Sequence, residues 1–600
     1  MKNYSVVNYL KRVLALVSPL GDGRGRHIQL VKHLSIVVCL LLLASCNSST
    51  QKSRPHPAAK GGIKYGGYFR CNEPEYFKSL FPLNITEVVG HHIISQVYEG
   101  LIGFNPKDLT IEPMLAESWT VSPDAKTYTF KIRRGVYFHD DTCFPGGKGR
   151  LVTAADFVYC FNALCEPSVK NSGFSFYVPI IEGAEEHYKA AKRQDMVLPF
   201  IGVTALNDSI LQIKLTHPSA DFLSRLALPF AALYPHEALE HYKDDINYHP
   251  VGTGPYQFKA LKPNDAIVLT RNDKYWGKDE FGNQLPYMDG IKISFIKEDK
   301  TEMLEFERAN LDMKYRLPFD MIDDILDDHH QLKGEYKKFV LQIMPELTSQ
   351  FYGFLVTDTV FDNKNVRLAF NYAIDRVKIA DYTAKGEGIP SLNGFVPIGI
   401  PGYDNNLVRG FTFDVAKAKT YLAKAGYPGG KGFPKVTLET NSGGGRNEKV
   451  AETIQKMLME NLGIDVAITQ VVWAQHISNI ETGKVNFWRF SWVADYPDPI
   501  NFLSLFYGKN VPKTMEESSY SNPTRYVSAE YDALYEKALA TTDAAERNKI
   551  CTQLDQIIID DAPCLPIYYS VNRRLIQPYV RNLYANGMEY RNFTAVWLDK

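Results

Sequence analysis

The sequence predicts an α/β chain folded into at least two lobes. Three observations point there: short segments that alternate with period two, longer segments with helical spacing and caps, and a length beyond what one hydrophobic core supports. The alternation is clearest in Tyr128-Thr129-Phe130-Lys131-Ile132, where every second side chain is apolar, as a half-buried strand requires. A turn at Ser122-Pro123-Asp124-Ala125 separates it from a strand ending in Trp119-Thr120-Val121, so the pair reads as a hairpin. Leu211, Ile213 and Leu215 alternate with Gln212, Lys214 and Thr216 in a further strand. Asp414 caps a helix whose apolar positions are Val415, Ala418, Tyr421 and Leu422, and Gly426 with Pro428 ends it. Val450, Ile454, Met457, Leu458 and Leu462 mark another, ended by Gly463. Asp543 and Glu546 open a third with a capping-box pattern ahead of Ile550, Leu554 and Ile557. No internal repeat interrupts this mixture. The glycine-rich stretch Cys143 to Arg150 is expected to be a surface excursion.

The N-terminus carries an address. Arg24, Arg26 and Lys32 precede an apolar run from Leu34 to Ala44 that only Ser35 interrupts. At about 1.5 Å per residue this run falls well short of the ~30 Å hydrocarbon core, so it reads as a secretory signal rather than a membrane span. Leu43-Ala44-Ser45-Cys46 resembles the lipobox of bacterial lipoproteins, which implies acylation at Cys46 after removal of residues 1–45. The Ser/Pro/Lys-rich residues 46–61 then form a flexible tether. No other apolar run approaches 18 residues. The expected location is the periplasm or cell envelope, with the chain held to a membrane by its lipid.

Loss of residues 1–45 lowers Lys+Arg from 67 to 61 and Asp+Glu from 68 to 67, leaving a formal charge of −6. That balance argues against nucleic acid as partner, because phosphate binding needs a basic face. Six cysteines remain: Cys71, Cys143, Cys160, Cys165, Cys551 and Cys564. An oxidising compartment permits disulfides among them without fixing the pairing, and no CxxC pair suggests structural zinc. The 12% aromatic content, led by 36 tyrosines, suits a large ligand groove and equally a large core.

Catalytic patterns are sparse. The sequence has no G-x-S-x-G elbow, no H-E-x-x-H and no phosphate-binding P-loop. His236 and His241 flank Glu237 and Glu240 but stand five residues apart, about 500° around a helix, so they cannot readily share a metal. His139-Asp140-Asp141 reads as a solvated turn, and Gly443-Gly444-Gly445 as a flexible loop before a helix. No metal, cofactor or catalytic residue is assigned, and the weight shifts to binding.

Several stretches, taken in order, resemble the peptide/nickel-binding family of ABC-importer solute-binding proteins. Glu112-Pro113-Met114-Leu115-Ala116-Glu117-Ser118-Trp119 is followed by Asp124 to Phe130, by Arg133-Arg134-Gly135-Val136 and by Phe138-His139-Asp140. Val251-Gly252-Thr253-Gly254-Pro255-Tyr256, Asn272-Asp273-Lys274-Tyr275-Trp276 and Asn365 to Asp375 continue the pattern. The resemblance implies a periplasmic-binding-protein-like fold, in which two α/β lobes joined by two hinge strands close over a ligand. Lobe 1 would hold residues 62–347, with an extra subdomain at about 95–215, and the C-terminal return 567–600. Lobe 2 would hold 348–566. The expected partners are a peptide and the transmembrane subunits of a permease, and the expected state is a monomer. A nickel chelate, haem or an oligosaccharide is the alternative ligand within the family. A secreted hydrolase of cell-wall peptides is the alternative outside it.

The segment Arg489-Phe490-Ser491-Trp492-Val493-Ala494-Asp495-Tyr496 resembles the oligopeptide binders' ligand motif. The resemblance implies that Asp495 pairs with the ligand's α-ammonium, with Tyr496 beside it, and that Arg489 takes the C-terminal carboxylate. Trp473 and Trp492 would line side-chain pockets, and Glu75 and Tyr177 are further expected contacts. The sequence departs from the family pattern where other cations are expected: Ile480 replaces one, and Arg446 and Lys385 lie only near others. Val493 stands where some relatives place a disulfide cysteine.

Overall fold

A computed structural model describes residues 58–600, except 86, 168–170, 172, 194–201 and 443–444. The signal segment, Cys46 and the tether up to residue 57 lie outside the described residues, as do Gly443 and Gly444.

Three sheets organise the chain. The first runs in the order Tyr68–Asn72, Gly290–Ser294, Ala266–Arg271, Tyr256–Lys262, with the first pair parallel and the others antiparallel. Its pleat buries Ile291 and Ile293 and turns Lys292 outward. The second sheet is antiparallel, in the order Ala116–Val121, Thr127–Ile132, Ile210–Lys214, Val203–Asn207. The expected hairpin is present, with Val121 opposite Tyr128, and Phe130 and Ile132 point inward past exposed Lys131. The helix Ala154–Leu164 packs on this sheet, and the whole lies within the stretch that the sequence assigns to an extra subdomain.

The third sheet has seven strands and contains the crossover between lobes. Its long strands Val340–Phe354 and Cys564–Ile576 pair antiparallel, from Val340 opposite Ile576 to Gly353 opposite Cys564. The expected crossings at 347/348 and 566/567 fall inside these two strands. Their ladder breaks between Pro345 and Ser349, next to a proline that has no N–H to offer. Inside that break Leu347 donates its N–H to Gly587 at 2.7 Å and accepts from the Ala494 N–H at 2.9 Å. One residue thus ties the C-terminal return to the second lobe.

Beyond the crossover, Phe487–Val493, Val436–Asn441 and Val466–Val471 complete the sheet, the last two parallel to each other and the first two parallel to each other. The three expected helices are Val415–Lys424, Gly445–Leu462 and Ala544–Asp561. Asp414 and Asp543 accept hydrogen bonds from the Lys417 and Glu546 N–H groups, satisfying donors that a helix start leaves orphaned. Gly463 follows the second helix with φ of +72°, a conformation glycine adopts without strain.

One local expectation needs correction and two gain detail. The stretch from Cys143 to Arg150 lies at the surface, with Pro145, Gly146 and Lys148 exposed, and is anchored there. Phe144 is buried, Arg150 pairs with Asp156 and Glu237, and Gly149 backs onto Phe138 so closely that a Cβ would sit 1.9 Å from its carbonyl oxygen. His139 is buried instead of solvated, with Nε2 2.9 Å from the Gly254 carbonyl. Its neighbour Asp140 holds Lys148 and Lys274 on the surface. The six cysteines are all unpaired thiols, and all but Cys143 are buried. No described helix is long and apolar enough to cross a membrane.

Candidate functional site

The parallel strands of the third sheet release their connections on one side. Asn441 leads to the helix Gly445–Leu462, Val471 to the helix Trp473–Glu481, and Val493 to a loop and the helix Pro499–Leu503. In open α/β sheets the crevice outside the carboxyl ends of the strands is where ligands bind. Asp495 stands in the third of these connections.

Local sequence sets its geometry. Asp498 caps the short helix by accepting from the Ile500 N–H at 2.9 Å, and Pro499 occupies a first-turn position where no N–H is needed. Asp498 also pairs with Arg547 at 2.7 Å. Capping therefore falls to Asp498 and leaves Asp495 for another task. Asn501, in the first turn of that helix, is buried and works in both directions. Its side-chain oxygen accepts from the Asp495 N–H at 3.1 Å and from the Trp492 indole at 2.9 Å, while its amide donates to the Asp495 carboxylate at 3.1 Å. Asn501 is the one described side chain bonded to that carboxylate, and no described cation pairs with it. Asp495 is nonetheless exposed to solvent. It titrates above the ordinary aspartate value because the surrounding protein strips part of its hydration, a shift that Asn501 and the more distant Arg225 oppose without cancelling.

Asp495 opens into a cavity of about 460 Å³, within the range of roughly 300–1,000 Å³ typical of small-molecule sites. Val493, Ala494 and Asp495, at the end of the strand Phe487–Val493 and just beyond it, form part of its wall. The rest includes the segment around His91 and His92, Phe176, residues 227–230 and the C-terminal residues 588–591. One part of that wall is an ion network. Glu73 pairs with Arg591 and, at 2.9 Å, with His92, and Arg591 also holds Glu589 at 3.0 Å. Burial alone would raise the Glu73 carboxyl, but Arg591 and His92 outweigh it and hold the group below its usual value. His91 is pushed down to about 4 by burial, with its neighbour His92 adding to the effect, so its imidazole is neutral near pH 7.

The other expected contacts are dispersed. Trp492 is half-buried and bonded to Asn501, with the Tyr520 ring 6.1 Å away. Tyr496 is buried and does not line the cavity. Its hydroxyl donates to Asp221 at 2.8 Å, and Asp221 in turn holds Arg225 at 2.7 Å. Tyr177 is likewise buried, donating to the Arg225 carbonyl, and its neighbour Phe176 faces the cavity instead. Glu75 is exposed away from the cavity, and the acid of that loop which reaches the wall's ion network is Glu73. Trp473 is 49% exposed and stacks on Phe490 with ring centroids 6.2 Å apart.

Arg489 is buried on amide oxygens, those of Gln350 and, at 3.2 Å, Asn441. Burial lowers its guanidinium from the ordinary value, and Arg446 contributes in the same direction. It borders a void of only about 10 Å³, separate from the Asp495 cavity. Arg446 pairs with Glu387 at 3.0 Å and lines another cavity of about 380 Å³, shared with Arg316 and Phe319 of the first lobe. The structure therefore brings together Asp495 and Trp492 through Asn501, and places Arg489 and Arg446 near each other elsewhere. His236 and His241 take separate contacts, with Arg150 and Tyr242 respectively, and among the described residues no cluster of ligating side chains could hold a metal.

Comparison with known proteins agrees with this architecture. The family model "Bacterial extracellular solute-binding proteins, family 5 Middle" matches residues 110–513. The dipeptide-binding protein DppE of Bacillus subtilis is 29% identical, over 93% of this chain and 96% of its own. Heme-binding protein A of Haemophilus influenzae is 28% identical, over 94% and 98%. Among solved structures, the ABC transporter-associated periplasmic binding protein DppA of Helicobacter pylori, in complex with the peptide STSA, superposes with a TM-score of 0.70 at 25% identity, covering 90% of this chain and 99% of its own. With two-thirds of its length matched by the family model, and a ligand-sized cavity between two crossover-linked lobes, the chain belongs to the bacterial extracellular solute-binding proteins of family 5.

Proposed function

We propose that this chain captures short peptides between its lobes and delivers them to the membrane subunits of an ABC importer. Asp495 would hold the ligand's α-ammonium group. The observation that carries the reading is the Asp495 carboxylate: partly desolvated, oriented by Asn501, and without a cation of its own in a ligand-sized cavity. Such a group gains a charge-assisted hydrogen bond from an incoming ammonium and regains the stabilisation that desolvation removed. The relatives named for dipeptide binding and the peptide-bound Helicobacter protein support peptide as the ligand class.

The proposed division assigns 62–347 and 567–600 to the first lobe and 348–566 to the second. Arg489 and Arg446 are proposed for the carboxylate end of longer peptides. Arg489 precedes Asp495 by six residues, a reach of up to about 20 Å at ~3.3 Å per extended residue. Lipid attachment at Cys46 would hold the protein at the membrane as a monomer, and binding would proceed without cleavage of the peptide.

Haem is a second reading, favoured by one observation: the neutral His91 faces the same largely apolar cavity, and one relative is named for haem. Native mass spectrometry of the protein as purified separates the two. Retained masses that sequence as peptides, and that disappear in Asp495→Ala, are expected. A single retained mass with a porphyrin absorption band would replace peptide by haem, and cleavage products from added peptides would make the protein a hydrolase.

A further inference from the structure

The cavity beside Asp495 has a chemical bias of its own. An ammonium nitrogen held by Asp495 lies within about 3 Å of the carboxylate, and the Cα that bears the ligand's first side chain is only ~1.5 Å further on. That side chain therefore starts at the same cavity, the large open volume beside Asp495. The wall there is mostly apolar: Val88, Phe104, Phe176, Leu228 and Phe230 from the first lobe and Val493 from the second. Phe176 and Phe230 stack at 5.8 Å with an interplanar angle of 18°, and the edge-on His91 ring, 5.6 Å from Phe230, continues the surface. Val88 and Val493 are 61% and 57% exposed, large apolar side chains left to water at the cavity wall. Met588 adds a flexible side chain that can adjust to shape.

The polar groups of the wall are largely committed. His92, Glu589 and Arg591 belong to the ion network with Glu73, and Glu87 accepts from the Lys78 N–H. A charged ligand side chain placed here would lose hydration against apolar surface with few groups to compensate it.

We infer that this cavity selects peptides by their first residue, favouring a large apolar side chain, with Phe176 and Phe230 as the specificity-determining residues. The inference rests on the assignment of the ligand's ammonium to Asp495. Calorimetric titration tests it with tri- and pentapeptides that differ only in the first residue (leucine, glycine, aspartate or lysine), together with an N-acetylated leucine form. Leucine is expected to bind about ten- to a hundredfold tighter than glycine, and aspartate and lysine no better than glycine. Phe230→Ser should bring the leucine-to-glycine affinity ratio toward one, and an undiminished ratio would count against the inference. Equal affinity for all four free-amino peptides, with binding lost on acetylation, would overturn the inference and leave the ammonium assignment standing. Tighter binding of the lysine- or aspartate-first peptide would also overturn it. Undiminished binding of the acetylated peptide, or no binding at either length, would overturn both.

Discussion

Asp495, proposed above to bind the ligand's ammonium, is held at some expense to the fold. Its raised value means that the folded protein prefers the protonated form, so the ionised group destabilises the ligand-free protein. That penalty is absent below the ordinary aspartate value of about 3.9 and is complete once the pH passes the raised native value. Asp495→Asn should therefore melt higher than the parent at pH 7 without ligand, and the gap should close as the pH falls through that window in a series of thermal melts. Asn501 is the positioning counterpart. Asn501→Ala leaves the Trp492 indole and the Asp495 N–H without their acceptor, which should cost about 1–3 kcal/mol in a urea titration and weaken peptide binding as well. Asp495 could be proposed from the sequence because its flanking residues form a recognisable string. Asn501 was not, since an asparagine in the first turn of a helix carries no mark of its target until the chain folds. The expected contacts at Tyr177 and Glu75 show a related limit. Motif position reaches the right segment, but local backbone direction decides which neighbour faces the cavity, and here Phe176 does, while in the other loop Glu73 reaches the ion network of its wall.

At the scale of elements, the crossover strands are tightly packed. Gly353 packs so closely on Trp488 that a Cβ would meet the indole at 2.5 Å, and the buried ring has no open space to yield into. Gly353→Ala should lose about 1–3 kcal/mol by urea denaturation, as over-packed positions do. The helix cap at Asp414 is exposed to a simpler loss: Asp414→Ala removes one acceptor at the start of Val415–Lys424 and should cost about 1 kcal/mol. Alternation and capping made these strands and helices readable, because period two and orphaned N–H groups follow from backbone geometry alone. The pairing of Val340–Phe354 with Cys564–Ile576 was not readable from either strand. Cys564–Ile576 is buried along its whole length, so it shows no alternation, and its partner lies more than two hundred residues away. Only the family resemblance pointed to the crossing. At Cys143–Arg150 the glycine-rich composition pointed to the surface but not to the anchoring, since glycine also serves close backbone packing, as at Gly149.

Over the whole molecule, the cavity wall draws on segments far apart in sequence, which the proposed division places in two lobes, and Leu347 ties Gly587 to Ala494, one residue before Asp495. A ligand that bridges both walls favours the arrangement in which they face each other, and differential affinity of a few kcal/mol is enough to shift such an equilibrium. Binding to the folded state alone should also stabilise it by about 2.7 kcal/mol at a ligand concentration one hundred times Kd. The central claim is that a peptide's free ammonium on Asp495 drives this capture. Isothermal titration of the parent protein and Asp495→Asn with one peptide, in free and N-acetylated forms, tests it most directly. The account predicts binding of the free peptide to the parent and a loss of about thirtyfold or more on either acetylation or substitution, with little further loss when the two are combined. Equal affinity of the parent and Asp495→Asn for the free peptide would contradict it.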